Sequence, residues 1–221
     1  MQTTLKAFIS GSLVEVFEYS KPILYGSEYS KKPAKFNVSA SSNEETKDFS
    51  REISTYRTKS NIRRLISSNC SQWQDSVGAP FLPVFGTFTF ADNVKDLDQA
   101  NKEYTYFIQR LNYVTFKTKV ATLQYLNIVE FQKRGAVHYH TLFFNLPYIE
   151  QIYDVFLKTW GNGWSKVDGL KNTDHVSAYV TKYLTKSGRD ERLDGRKAYF
   201  TSRSVKRPMM FRNPQNVTTL L

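Results

Sequence analysis

The chain has 221 residues, with 31 Lys and Arg against 20 Asp and Glu for a net charge of +11, 40% hydrophobic and 15% aromatic residues, and a single cysteine, Cys70. That length suits one domain, or one domain with an appendage, and it can bury a core without metal or disulfide staples. A lone cysteine excludes an internal disulfide and a Cys-rich zinc module. No run approaches the roughly 18 apolar residues of a membrane span, and the start lacks the pattern of an export signal, so a soluble protein of a reducing host cytoplasm is expected.

The positive surplus favours a polyanionic partner, nucleic acid or an anionic lipid surface. Residues 181–221 hold ten Lys and Arg against Asp190, Glu191 and Asp194, so +7 of the net charge lies in that tail. A second basic run spans Arg51 to Arg64. Charge alone also fits a solvated surface, but 14 Tyr, 16 Phe and 3 Trp add the rings on which bases stack.

In chain order, apolar alternation at Leu5–Ile9 and Leu13–Phe17 around Ser10-Gly11-Ser12 predicts a hairpin. Residues 31–47 are rich in Ser, Lys and Asn and read as a linker. From Phe49, Ile53, Tyr56, Ile62, Leu65 and Ile66 recur at near-helical spacing among basic residues. Val84–Phe90 alternates as a strand that Asp92 and Asn93 end in a turn. Leu97, Tyr104, Phe107, Ile108 and Leu111 share a helical face. Leu123–Phe131 and Ala136–Phe144 read as strands, followed by a helix with Pro147 in its first turn and Gly161-Asn162-Gly163 at its end. Trp164–Val167 is a short strand, and Asp174 caps a helix over residues 175–187, closed by Gly188. The pattern predicts an α+β fold, a central antiparallel sheet with flanking helices. Its organisation is expected as a basic, partly flexible N-terminal region over 1–55 and a main domain with a basic tail over 56–221.

Alternate residues of a strand share a face, so His138 and His140 project side by side. An H-x-H pair also suits two structural histidines. Lys133-Arg134-Gly135 has the length and terminal glycine of a three-residue hairpin loop. That loop sets Gln132 against Ala136 and Glu130 directly opposite His138, whereas a two-residue loop would send Glu130 to the other face. One carboxylate and two imidazoles then converge, a donor set that suits Mn or Zn, with Mg possible where substrate phosphate adds oxygens.

Tyr179 and Tyr183 lie four apart on a helix, so both phenols share a face, with Lys182 three residues after the first. Val176, Tyr179, Val180, Tyr183 and Leu184 also make an ordinary core stripe. A tyrosine nucleophile needs help from a nearby cation or a metal-polarised substrate, for which Lys182 and Lys186 are candidates. His175, four residues before Tyr179, reads as a capping or surface residue.

FTFADN at Phe88–Asn93, VEFQKRGAVHYH at Val129–His140 and AYVTKYLTK at Ala178–Lys186 resemble, in order, the three motifs of the rolling-circle replication initiators, the HUH endonucleases. The resemblance extends over about residues 56–208 and is nearest to the two-tyrosine Rep proteins of small single-stranded DNA phages and plasmids. It implies an RRM-like, ferredoxin-like topology and an enzyme that nicks and joins single-stranded origin DNA through a 5′-phosphotyrosine. By the motif match, Glu130, His138 and His140 would hold a divalent metal, expected as Mn or Mg ahead of Zn. Tyr179 and Tyr183 would be the nucleophiles, with Lys182 at the position of a lysine common in the family. The chain departs from fuller members in lacking G-x-x-x-x-G-K-[ST], hence a helicase of its own, and in placing the aromatic Tyr139 between the histidines.

The expected partners are single-stranded origin DNA and a host helicase and polymerase, with no membrane, and the expected DNA contacts are Arg63, Arg64, Lys133, Arg134, Lys186, Arg203, Lys206 and Arg207. A transposase or relaxase of the same superfamily, or a non-catalytic RRM-type binder, are the competing readings. Binding to single strands should weaken steeply with salt, with log K falling against log salt by about 0.7 per phosphate neutralised. Equilibrium titrations across a salt series measure that slope. Removing residues 189–221 should flatten it if the tail touches DNA, and an unchanged slope would assign the tail's charge to solvation.

Overall fold

The computed structural model describes residues 2–24, 44–70, 72–74, 77–78, 81–170, 176–187, 190–212, 215 and 217, with backbone alone at 24, 44–50 and 184–187. The N-terminal alternation forms β1 (Gln2–Ser10) and β2 (Leu13–Leu24), joined at Gly11-Ser12 with Ser10 opposite Leu13. Pro22 cannot donate to a ladder, and β2 is an edge strand in the order β2-β1-β8, where a missing donor is tolerated. The partner of β1 on its other side, β8 (Met209–Phe211), comes from the basic tail.

α1 (Glu44–Asn69) begins inside the stretch read as a linker and runs unbroken past residue 55. Its first five residues, Glu44–Asp48, lack the apolar side chains from which a helical period is read, and this is why the sequence places the start at Phe49. β3 (Val84–Phe90), α2 (Leu97–Phe116), β4 (Tyr125–Phe131) and β5 (Val137–Phe143) follow the expected pattern. Asp96 caps α2 by accepting from the backbone N–H groups of Asp98 and Gln99. α3 (Ile152–Trp160) starts after Pro147 rather than around it. Gln151 adopts φ 53°, ψ 43°, a left-handed conformation that breaks the helical path, so residues 147–150 are irregular. At its other end the Gly161 N–H returns to Leu157 O at 3.0 Å, as the Gly-Asn-Gly stop predicts.

β6 (Gly163–Gly169), α4 (Val176–Ser187) and β7 (Tyr199–Thr201) complete the chain. Asp174, His175 and Gly188 lie outside the described residues.

The five-stranded sheet has the order β6-β3-β5-β4-β7, every pairing antiparallel. Its β3-α2-β4-β5-α3-β6 portion is the split βαβ arrangement of ferredoxin-like folds, so the α+β expectation holds with its topology. Both faces are covered. Phe88, Val129, Tyr139, Phe143 and Val167 pack with Tyr104 and Phe107 of α2 and Phe156 and Trp160 of α3 on one side. On the other, Phe85, Ile128 and Leu142 pack with Ile62 and Ile66 of α1 and Val176 and Val180 of α4.

The tail is part of this fold. β7 pairs with β4, β8 pairs with β1, and Leu193, Val205 and Val217 are buried. Truncation at residue 189 would therefore remove strands along with charge, and single substitutions of Arg203 or Lys206, both exposed, separate the two.

Candidate functional site

The hairpin between β4 and β5 has the three-residue loop that its sequence predicts. Gln132 N–H donates to Ala136 O at 2.9 Å, and Gly135 N–H donates to Gln132 O at 2.8 Å. Gly135 sits at φ +89°, a conformation that a side chain would strain. Glu130 therefore pairs with His138, and Ile128 with His140. Tyr139 points the other way into the α2 side of the core, where its hydroxyl donates to Asn101 Oδ1 at 2.8 Å.

The Glu130 carboxylate reaches diagonally to His140, with Oε2 at 2.7 Å from Nε2. His140 is only 4% exposed, and the two imidazole centroids are 4.7 Å apart. Thr89 Oγ1 lies 2.9 Å from His138 Nδ1, and Thr87 Oγ1 lies 3.3 Å from His140 Nδ1. A hydroxyl on Nδ1 orients a ring and sets which nitrogen serves a ligand, the outer contact that metal-binding histidines use. Gln132 Nε2 also approaches His138 Nδ1, at 3.4 Å.

Thr87, Thr89 and Gln132 escape a sequence search for metal ligands. The two threonines are legible only as the polar residues at alternate positions of VFGTFTF.

Among the described residues no three His, Cys, Asp or Glu side chains already stand as a cage for a metal ion. Glu130 instead gives its oxygen directly to His140. Ligands at adjacent positions around an ion with ~2.1 Å bonds lie about 3 Å apart, so the 2.7 Å contact is near that separation. The donor chemistry of two imidazoles and a carboxylate fits a divalent ion, with shared ligation in place of their direct hydrogen bond.

α4 carries the tyrosines onto this face. Val176 and Val180 anchor it in the core, and four-residue spacing sets Tyr179 and Tyr183 beside them. The Tyr183 ring stacks on His140 with centroids 3.8 Å apart, and Tyr179 meets Phe85 edge-on at 5.0 Å. The Tyr183 hydroxyl donates to Tyr179 Oη at 3.3 Å. Lys182 Nζ lies 3.9 Å from the Tyr179 ring centroid and 5.0 Å from that of Tyr183. Burial raises the Tyr183 pKa well above the usual phenol value, and its hydrogen bond to Tyr179 and the negative charges of Glu130 and Asp168 add to the rise.

The expected DNA-contacting residues divide. Arg63, Lys133, Arg203, Lys206 and Arg207 are exposed. Arg134 is exposed too, but its guanidinium also holds the loop to the end of β3 by donating to Phe90 O at 2.5 Å and Ala91 O at 3.3 Å. Arg64 is buried, pairs with Glu15 at 2.6 Å and lies 3.9 Å over the Phe8 ring, a tie between α1 and the N-terminal hairpin. The Lys186 side chain lies outside the described residues. Asn93 donates to Arg134 O at 3.2 Å, in keeping with its reading as a turn residue.

On the same sheet face a cleft of about 640 Å³ opens beyond β7, lined by Arg51, Thr55, Lys197, Tyr199 and Arg207 among others. Its arginines are partly committed, since Arg51 pairs with Asp194 at 2.8 Å and Arg207 donates to Thr201 at 3.0 Å.

The model of a protein family described as Replication-associated protein ORF2 matches residues 83–188, the span from β3 to the end of α4. No curated protein and no solved structure gives a significant match. The matched span contains Glu130, both histidines and both tyrosines.

The burial contrast between adjacent arginines gives a prediction. Arg64→Ala leaves Glu15 without its partner and should cost about 3 kcal/mol, or roughly 6–12 °C in Tm. Arg63→Ala should leave Tm unchanged and, if Arg63 meets a phosphate, reduce the salt slope of single-strand binding by about 0.7. Thermal denaturation and salt-dependent titration of both variants measure this.

Proposed function

We propose that the chain acts in replication initiation as a two-tyrosine HUH endonuclease on single-stranded origin DNA, a reading supported by the match of residues 83–188 to the Replication-associated protein ORF2 family. The observation that carries this reading is the meeting of two separate motifs on one sheet face: Glu130 on β4 with His138 and His140 on β5 from one, and the tyrosine pair of α4 from the other. An RRM-type binder has no need of that convergence.

The reaction is a phosphodiester exchange. Tyr179 Oη attacks the scissile phosphorus in line, the bond from phosphorus to the 3′ oxygen breaks, and the 5′ phosphate remains on the tyrosine. The phenol proton is lost, the departing 3′ oxygen takes one up, and the freed 3′-OH can prime a polymerase. Because one phosphodiester replaces another, the stored bond can later be passed to a second 3′-OH to join strands. Glu130, His138 and His140 would hold the divalent ion, Mn or Mg ahead of Zn, and such an ion supplies a Lewis acid for a non-bridging phosphate oxygen.

The geometry supports Tyr179 as the first nucleophile. Its oxygen accepts a hydrogen bond from Tyr183, and Lys182 lies closer to its ring than to that of Tyr183. Tyr183 has the reverse setting, donating its proton while facing Glu130, and burial opposes its ionisation. Tyr183 is assigned to the second transfer, which resolves the first covalent intermediate after synthesis.

Tyr179→Phe should abolish the covalent adduct with a fresh origin oligonucleotide, seen as a shifted band on denaturing electrophoresis. Tyr183→Phe should keep the first adduct and lose repeated strand transfer. Adducts in both single variants but not in the double variant would make the tyrosines interchangeable. An adduct in the double variant would overturn the assignment of the nucleophile.

A further inference from the structure

β6 is an edge strand of the five-stranded sheet, and its register fixes which of its residues share the site's face. Thr89 pairs with His138 on one side and with Trp164 on the other, and Thr87 pairs with His140 and with Lys166. Paired residues in an antiparallel ladder point to the same side, and both threonine hydroxyls lie within hydrogen-bond distance of the imidazoles opposite them. One row therefore runs Trp164, Thr89, His138, Glu130 across four strands. With about 4.8 Å between strands, Trp164 stands roughly 10 Å from His138, close enough for one single strand to reach both.

The face opens along this row. His140 is buried beneath Tyr183, Thr87 and Thr89 are half-buried, and Trp164 is 55% exposed. Val167 of the same strand and the nearby Trp160 are in the core, whereas the Trp164 indole faces solvent. Lys166 stands beside it on the same face, with a half-exposed side chain whose ammonium is 3.0 Å from Asp168. Tyr179 and Tyr153 both act electrostatically on Lys166. Single exposed aromatics are common on protein surfaces and need no explanation. This one shares its face with the reacting groups, is flanked by a cation, and belongs to a chain of net charge +11.

We propose that Trp164 is a nucleobase-stacking subsite, with Lys166 beside it for the adjoining phosphate, that seats single-stranded DNA along the β6 flank of the site. The proposal rests on the reading of the chain as acting on single-stranded DNA. Indole offers a flat face to any base, so the contact supplies affinity and position with little preference for sequence. It also sets the direction of the strand, which leaves the histidines over β3 and β6, away from the cleft beyond β7.

The full chain is titrated by fluorescence anisotropy with a short single-stranded oligothymidylate and with an abasic strand of the same length. Stacking predicts that Trp164→Ala weakens oligothymidylate binding roughly 5- to 150-fold, while Trp164→Phe, which keeps a ring, retains most of it. The abasic strand should bind the native chain and Trp164→Ala alike, because it has no base to stack. Lys166→Ala should weaken both probes equally and lower the salt slope. Oligothymidylate binding by Trp164→Ala within twofold of native overturns the subsite and leaves the functional reading intact. A native chain that binds neither strand overturns both.

Discussion

The pairing of Glu130 with His138 across the β4–β5 hairpin is the constraint on which the rest of the site depends. Side chains on a strand alternate faces, so a shift of one residue would carry Glu130 into the core on the α2 side and leave the histidines without a carboxylate. The loop prevents that shift. Three residues, with Gly135 in the left-handed region, close the turn only in the observed register, and Arg134 fastens the turn to the end of β3. A structural feature of three residues thus decides where a charge sits.

Burial on both faces of the sheet holds that register in place. Phe88, Tyr139 and Phe143 are fully buried against α2 and α3, while Leu126, Ile128 and Leu142 are fully buried beneath α1 and α4. Slipping a strand would exchange these apolar side chains with threonines, histidines and a glutamate, an exchange disfavoured on both sides at once. The same packing positions α4: Val176 and Val180 enter the core, and their neighbours Tyr179 and Tyr183 are thereby laid over His140 and Phe85. In the proposed reaction, phenols fixed in advance would lower the entropic cost of bringing a nucleophile to a phosphate.

Much of this was legible in the sequence. The central strands and α2 carry unambiguous periodicity, and the loop length with its terminal glycine was enough to place Glu130 against His138. The parts that were not legible lacked a local signal. The first five residues of α1, Glu44–Asp48, are polar, α3 is delayed by the backbone conformation of Gln151, and β7 and β8 are three-residue strands whose partners lie far away in the chain. Arg64 looked like one more basic residue of a charged run, and only the tertiary fold brings Glu15 and Phe8 to it. In the sequence Trp164 marks the start of a short strand, but its place in a row with the histidines follows from β3 pairing on both sides, which no short-range pattern encodes.

The account holds that this register builds a divalent metal site from Glu130, His138 and His140 beneath the tyrosine helix. Electron spin echo measurements on the native chain loaded with Mn test it most directly, because nitrogen couplings report imidazoles bound to the ion. The account predicts a bound ion with imidazole nitrogen couplings in the native chain and their loss when both His138 and His140 are changed to Ala. Bound Mn without nitrogen coupling, or coupling that persists in the double variant, would contradict it.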